Sequence, residues 1–185
     1  MNASSLRGES ARAAFDPRSL RACFGKFATG VTVVSLLIDG KPHGLTVNSF
    51  TSVSLDPPLV LICVDKGSKS ADALGRAPFA INVLTAKQED YAWHFAGRAQ
   101  FTDIPWHHGQ DGLPFLPDTL ARILCAPWSV NDGGDHLVVI GKVFDIHSSE
   151  NDALAFFSGQ FSRLQPGKAQ KALPKKETSI QQEMN

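Results

Sequence analysis

The chain of 185 residues is long enough for one domain with its own hydrophobic core. Lysine plus arginine total 18 and aspartate plus glutamate total 18, so no net charge favours nucleic acid or an anionic membrane surface as a partner. Three cysteines without a CxxC pair argue against a disulfide framework and a zinc site. We therefore expect reduced thiols in a cytoplasmic protein that binds no metal.

The two ends of the chain differ in composition from the part between them. Residues 1–15 lack the apolar segment of a secretion signal and are predicted to form a flexible arm. Residues 165–185 are poor in large apolar side chains and are predicted to form a flexible tail. The longest apolar runs, 31–38 and 59–64, are shorter than the ~20 residues that cross a bilayer. The predicted domain is therefore 16–164, with no membrane association.

The first predicted element is a helix that begins at Asp16 and Pro17. An acidic N-cap followed by proline in the first turn is typical of a helix start. Large apolar residues at helical spacing extend the prediction to Gly30, where glycine ends the helix.

A hairpin is predicted next. Residues 31–38 are apolar and β-branched, and the dipeptide Asp39-Gly40 favours the positive φ angles of a tight turn. The polar segment from Gly44 to Pro58 should therefore return as the antiparallel partner of this strand. Its hydroxyl and amide side chains suit either a half-exposed strand or the wall of a site for a large, flat, polar ligand.

Short strands and a few helices follow along the rest of the chain. No alternation of strands with crossover helices is seen, so the sequence predicts a mainly β fold with peripheral helices, in which antiparallel strands form a closed or nearly closed barrel. Segment 97–117, rich in Gly, Pro, His and Trp, is predicted to be an irregular loop that carries function or covers a site. The other predicted elements are strands at 59–64, 79–84, 120–128 and 136–147 and helices at 68–74, 87–96 and 152–157.

No common nucleotide-binding motif is present. The sequence contains neither GxGxxG nor the P-loop pattern GxxxxGK followed by Ser or Thr. The segment Asp65 to Ser70 suits either a phosphate at a helix N-terminus or a capped helix after a solvated turn. The segment Asp132 to His136 is either a surface turn or a place where Asp orients an imidazole beside a ligand. The adjacent His107 and His108 lack metal-ligand spacing.

Several segments, in order along the chain, match the pattern of one family. They are the run Phe-Ala-Thr-Gly-Val-Thr-Val-Val at 27–34, the polar segment at 44–59, Phe-Ala-Ile-Asn-Val-Leu at 79–84, Gly134-Asp135-His136 and Gly-Lys-Val at 141–143. Together these segments closely resemble the short-chain flavin reductases, the reductase components of two-component flavin-dependent monooxygenases. The resemblance runs from about residue 18 to residue 164.

The resemblance implies an FMN-binding split β-barrel with Greek-key-like antiparallel strands, usually a homodimer. It implies that the protein oxidises NADH or NADPH, reduces FMN or FAD, and supplies the reduced flavin to a partner monooxygenase. A split-barrel protein that carries or senses flavin or haem without catalysis is the alternative from a different class.

The resemblance also implies a set of site residues. His136 belongs to the nicotinamide side and is the implied catalytic residue, and Phe161 stands where the family often has Tyr. The segment from Cys63 to Ser70 is implied to meet the ribityl phosphate. The implied cofactor-binding residues are Thr29, Gly30, Val31, Thr46, Val47, Asn48, Ser49, Ser52, Cys63, Val64, Asp65, Lys66, Ser68, Ser70, Ala80, Gly134, Asp135 and Phe161.

Overall fold

The computed structural model describes residues 15–109 and 112–164, and antiparallel strands dominate these residues. Most of the predicted N-terminal arm and all of the predicted C-terminal tail lie outside them. The helices are α1 Pro17–Phe24, α2 Ala71–Leu74 and α3 Glu89–Phe95. The strands are β1 Thr29–Gly30, β2 Thr32–Ile38, β3 Lys41–Val47, β4 Thr51–Leu55, β5 Pro58–Asp65, β6 Phe79–Val83, β7 His107–His108, β8 Pro114–Phe115, β9 Ala121–Gly133, β10 His136–Ser148, β11 Leu154–Phe157 and β12 Gln160–Arg163.

The main sheet has seven strands in the order β3-β2-β6-β9-β10-β5-β4. Strands β3 and β4 follow each other in the chain yet occupy opposite edges, and only residues 48–50 separate them. The four Cα steps from Val47 to Thr51 span at most about 14 Å, whereas a flat sheet of seven strands would be about 29 Å wide. The sheet must therefore curl until its edges approach, which is the geometry of a split barrel.

The polar segment from Gly44 to Pro58 is consequently not one strand. Its first part, up to Val47, pairs with β2 as predicted, but its second part pairs with β5 at the other edge. The predicted turn at Asp39 and Gly40 is confirmed, with φ angles of 50° and 72°. These angles match the twist of a tight two-residue hairpin.

The predicted end of the first helix was wrong. Helix α1 ends at Phe24 with Gly25 as its C-cap, not at Gly30. Residues 29–30 instead form β1, which pairs with β11. The helical spacing was misleading because α1 buries none of its residues and Phe27 is 78% exposed.

The predicted helix at 152–157 is strand β11. The four apolar residues Leu154–Phe157 fit a buried strand as well as a helix, and periodicity cannot separate the two at this length. Leu154 and Ala155 are buried. Ser158 and Gly159 follow with φ angles of 48° and 81°, which form the turn into β12. This turn was the missed signal for a hairpin.

The other predicted elements are present with different ends. Helix α2 is shorter than predicted, and the two long strands β9 and β10 extend to the turn at Gly134 and Asp135. The predicted irregular segment 97–117 contains the short β7–β8 pair. None of the described helices is long and apolar enough to cross a membrane.

The core packs against both faces of the curled sheet. One cluster contains Leu36, Ile62, Phe79, Ile81 and Val139, all at most 1% exposed. A second cluster packs beneath α3 and β11, around Val33, Leu84 and Leu154. Strands β2 and β6 are buried on both faces, whereas β5 alternates, so that Cys63 lines the seam and Val64 points into the core.

Candidate functional site

Two cavities meet at the seam where the sheet edges approach each other. The larger has a volume of about 840 Å³ and the smaller about 310 Å³. Asn48 and Ser49, in the link between β3 and β4, line both cavities. We call the two cavities together the seam groove. It exists because the chain crosses from one sheet edge to the other at these residues.

Ser49 holds the two sides of the seam together. Its Oγ accepts a hydrogen bond from the Cys63 backbone N–H at 2.8 Å and donates to the Cys63 carbonyl oxygen at 3.1 Å. Its hydroxyl proton is therefore already used within the protein. Ser49 positions the groove wall and has no free donor for a ligand.

Thr46 has a similar structural bond. Its Oγ1 donates to the Ala92 carbonyl oxygen of α3 at 2.8 Å, which draws α3 against the groove so that Phe95 lines the smaller cavity. A Cβ atom at Gly44 would lie 2.6 Å from the Phe95 ring, closer than van der Waals contact allows. Glycine at position 44 therefore permits this approach of helix and strand.

Two polar side chains in the groove remain available to hydrogen-bond a ligand. The Thr29 Oγ1 is buried against the larger cavity and has no hydrogen-bond partner among the described residues. Asn48 is exposed where the cavities join, and no hydrogen bond of its side chain to the described residues is found. A buried hydroxyl without a partner is unfavourable, so its environment fits a polar ligand that supplies the missing partner.

His136 lies at the far end of the smaller cavity, at the start of β10 and opposite Asp65 of β5. Its Nδ1 is 2.7 Å from the Asp135 Oδ1. This hydrogen bond and the charge of the imidazole, with a smaller contribution from Arg21, hold the pKa of Asp135 below its usual range. Because an ionised carboxylate only accepts, Nδ1 is the donor, which leaves Nε2 free of protein partners among the described residues.

A second ion pair fixes the turn that carries His136. The Lys66 Nζ pairs with Asp132 Oδ2, and this hydrogen bond holds the pKa of Asp132 below its usual range. The Lys66 backbone N–H also donates to the Asp135 carbonyl oxygen at 3.1 Å. Lys66 therefore ties the end of β5 to the β9–β10 turn, and its charge is already paired.

The structure brings about half of the predicted site residues together in the seam groove. Those that line it are Thr29, Gly30, Thr46, Val47, Asn48, Ser49, Cys63, Asp65, Ser68 and His136.

The other predicted side chains lie elsewhere, for reasons the fold explains. Val31 and Val64 alternate with groove residues and point into the core, and Ala80 is buried against Leu113 and Leu124 in a third apolar cluster.

The polar residues outside the groove have other surroundings. Ser70 is buried at the start of α2, Ser52 is exposed on β4 outside both cavities, and Lys66 is paired with Asp132. Gly134 and Asp135 form the turn behind His136, and Phe161 packs edge-on against Trp93 and Phe156.

Sequence reasoning missed one wall of the larger cavity. Phe24 and Phe27 line it although they are 68% and 78% exposed, and Phe156 of β11 completes the aromatic surface. Arg21 is the one charged residue among the described residues that line this cavity. The available signal was the run of large apolar residues at helical spacing, Leu20, Phe24 and Phe27.

Comparison with known proteins matches this chain to flavin reductases. A family model described as "Flavin reductase like domain" matches residues 24–165. The chain is 44% identical over 151 residues to a probable flavin reductase of Rhizobium meliloti (strain 1021), a match that covers 80% of this chain and 49% of that protein. It is 40% identical over 165 residues to HsaB, a flavin-dependent monooxygenase reductase subunit of Rhodococcus jostii (strain RHA1), with 87% and 85% covered.

A solved structure is also similar along most of the chain. It is the Streptomyces globisporus NADH:FAD oxidoreductase SgcE6 in complex with NAD and FAD fragments, at 40% identity and a TM-score of 0.76, with 83% of this chain and 98% of that chain covered. The resemblance and the split-barrel fold expected from the sequence are confirmed. The chain belongs to the family of proteins with a flavin reductase like domain.

Proposed function

We propose that this chain is an NAD(P)H:flavin oxidoreductase, which reduces FMN or FAD with a hydride from NADH or NADPH. The names of its relatives, reductase subunit of a flavin-dependent monooxygenase and NADH:FAD oxidoreductase, support this class of activity. The observation that carries the proposal is the seam groove, where an oriented histidine and a buried hydroxyl with no partner in the described part of the chain lie along one continuous surface.

The groove fits a flavin in size and in chemistry. The larger cavity falls within the range of about 300–1,000 Å³ that is usual for cofactor sites. Aromatic side chains and small polar groups line it, which suits a flat heteroaromatic ring with polar edges. Thr29 Oγ1 and the Asn48 amide are the side-chain groups that would hold such a ring, and the seam fixed by Ser49 would hold them in place.

A bound flavin supplies the ring that accepts a hydride from a reduced nicotinamide. The chain then has to hold two rings in contact and to keep water from them, which requires no nucleophile or metal. Phe24, Phe27 and Phe156 would shield the groove, and Arg21 would meet a phosphate of a bound nucleotide at its mouth. Because most of the lining is neutral, we expect modest flavin affinity, which suits release of reduced flavin as a product.

His136 is proposed as the residue on the nicotinamide side. Asp135 fixes its ring through Nδ1, so Nε2 is the atom available to the bound nucleotide. The Lys66–Asp132 pair supports the same turn from behind.

We also propose that the chain acts as a homodimer in the cytoplasm, with a flavin-dependent monooxygenase as the recipient of its product. Large apolar side chains on the outside of the main sheet support the dimer: Leu55 is 94% exposed, Ile146 72% and Phe144 53%. Exposed apolar surface of this kind is typical of a protein contact. All three cysteines are unpaired, in keeping with a reducing compartment.

The test is steady-state oxidation of NADH and of NADPH with FMN and with FAD, each flavin in large excess over protein. Multiple turnovers with at least one pair would support the proposal. Flavin binding without oxidation of either nucleotide would contradict it and would favour a non-catalytic carrier or sensor. Addition of the monooxygenase from the same source should then produce hydroxylated substrate without a stable complex between the two proteins.

A further inference from the structure

A separate cavity of about 300 Å³ lies between the β7–β8 pair, the segment after β8, the start of β9 and the end of β10. It shares no lining residue with the seam groove. Its polar lining is built around Arg122 of β9. Among the residues that line it are His107, Phe115, Asp118, Arg122 and His147.

Arg122 is held rigidly at this cavity. Its Cζ lies 4.1 Å from the centroid of the Phe115 ring, so the guanidinium is in cation–π contact with that ring. Its side chain is only 23% exposed. A cation fixed in this way loses little conformational freedom on binding a ligand.

One nitrogen of the guanidinium, Nε, is buried and lacks an acceptor among the described residues. The only ion pair of the guanidinium among them is with Asp145, whose Oδ2 lies 3.5 Å from Nη2, beyond the usual range of a strong charge-assisted bond. A buried, charged donor without an acceptor is costly. Within the described residues, the other buried side-chain atom without a partner is Thr29 Oγ1 in the seam groove.

The groups around Arg122 suit a small anion. His147 is the direct cross-strand neighbour of Arg122, and the His107 ring packs edge-on against Phe115. Each imidazole can donate a hydrogen bond into the cavity. The acidic side chains nearby are Asp118, which lines the cavity, and Asp145, which is half exposed. One fixed cation and two imidazoles thus face one lining carboxylate.

We propose that this cavity is a second binding site, for a small oxyanion or for the carboxylate or phosphate group of a small metabolite. The Arg122 Nε is its principal donor, and the two imidazoles are supporting donors. The ligand occupies the acceptor position that Asp145 leaves unfilled.

The test follows the arginine Nε–H signals of the full chain by ¹H–¹⁵N NMR during titration with inorganic phosphate and, separately, with acetate. Chloride at the same ionic strength is the control for screening. We expect one signal to shift saturably, and this signal should be missing in Arg122→Gln. The phosphate and acetate arms distinguish a phosphate ligand from a carboxylate ligand.

Two variants make the assignment specific. Arg21→Gln, in the seam groove, should leave the saturable shift intact, which separates this cavity from phosphate binding at the proposed nucleotide site. Asp145→Asn removes a competing negative charge and should strengthen anion binding several-fold. Where Arg122→Gln does not fold, Arg122→Lys, which keeps the charge but loses the Nε–H donor, should weaken anion binding when the titration is followed at the backbone amide signals of the residues that line the cavity. Absence of a saturable shift with both anions, in the natural sequence and in Asp145→Asn, would overturn the proposal.

Discussion

At the scale of single residues, the groove separates side chains that hold the protein from side chains that can hold a ligand. The hydroxyls of Thr46 and Ser49 donate to backbone carbonyls, whereas the Thr29 hydroxyl has no partner within the described residues. From the sequence these hydroxyls are equivalent candidates. Their different roles depend on which backbone groups the fold brings within hydrogen-bond distance.

His136→Ala should affect the nicotinamide nucleotide more than the flavin. Loss of an oriented hydrogen-bond donor or acceptor should raise the KM for NADH, or lower kcat, by about tenfold. Steady-state kinetics and a flavin titration on the same variant measure the two effects. His108→Ala, an exposed histidine outside the groove, is the matched control. Loss of flavin binding with unchanged KM for NADH would show that the assigned role is wrong.

Ser49→Ala should loosen the seam. The substitution leaves the Cys63 N–H and carbonyl without their partner, and it should lower the free energy of unfolding by about 1–3 kcal/mol and weaken flavin binding. Thermal denaturation and flavin titration measure both. Ser52→Ala, on exposed β4, removes the same hydroxyl outside the groove and should change stability by less than about 0.5 kcal/mol. Equal effects of the two substitutions would contradict the positioning role.

At the scale of elements, the groove depends on how closely α3 approaches β3. The Thr46–Ala92 hydrogen bond and the Phe95 ring over Gly44 define this approach. The β9–β10 turn is fixed in the same manner, through Lys66 and Asp132. Both contacts join elements that are far apart in the sequence.

Gly44→Ala should move α3 away from β3. A methyl group at this position would lie 2.6 Å from the Phe95 ring, and relief of this overlap should cost about 1–3 kcal/mol of stability and lower turnover. Gly30→Ala is the control for stability, because a Cβ atom there meets nothing within 4 Å. Denaturant unfolding compares the two. If Gly44→Ala is as stable as the natural sequence, the ring adjusts freely and α3 does not depend on glycine here.

At the scale of the whole molecule, the exposed apolar side chains of β4, β9 and β10 are the feature that a single copy leaves unexplained. These side chains belong to strands of the main sheet and are between 40% and 94% exposed. A second copy of the chain would cover them.

Leu55→Glu combined with Ile146→Glu should therefore yield a monomer. Charges at these positions would be desolvated in a dimer contact, which is unfavourable. Light scattering after size exclusion measures the mass of each form. Lys41→Glu, at the β2–β3 turn, changes charge elsewhere and should leave the mass unchanged. A monomeric natural sequence would contradict the proposed dimer.

Local sequence patterns were sufficient to predict much of this fold. The Asp39-Gly40 turn requires only two residues with positive φ, and the strands at 59–64 and 79–84 require only short β-branched runs. The family could be recognised because its motifs occur in order along the chain. By itself, then, the sequence determined the antiparallel strands, the family and the identity of the polar segment that reaches the groove.

Only the tertiary structure decided how these parts are used. It divides the polar segment between opposite sheet edges, because residues 48–50 must bridge the seam. It makes residues 154–157 a strand, because β1 and β12 supply hydrogen-bond partners that the local sequence does not contain. It leaves the Thr29 hydroxyl without a partner among the described residues and engages Ser49, because hydrogen-bond partners distant in sequence meet only after the sheet has curled.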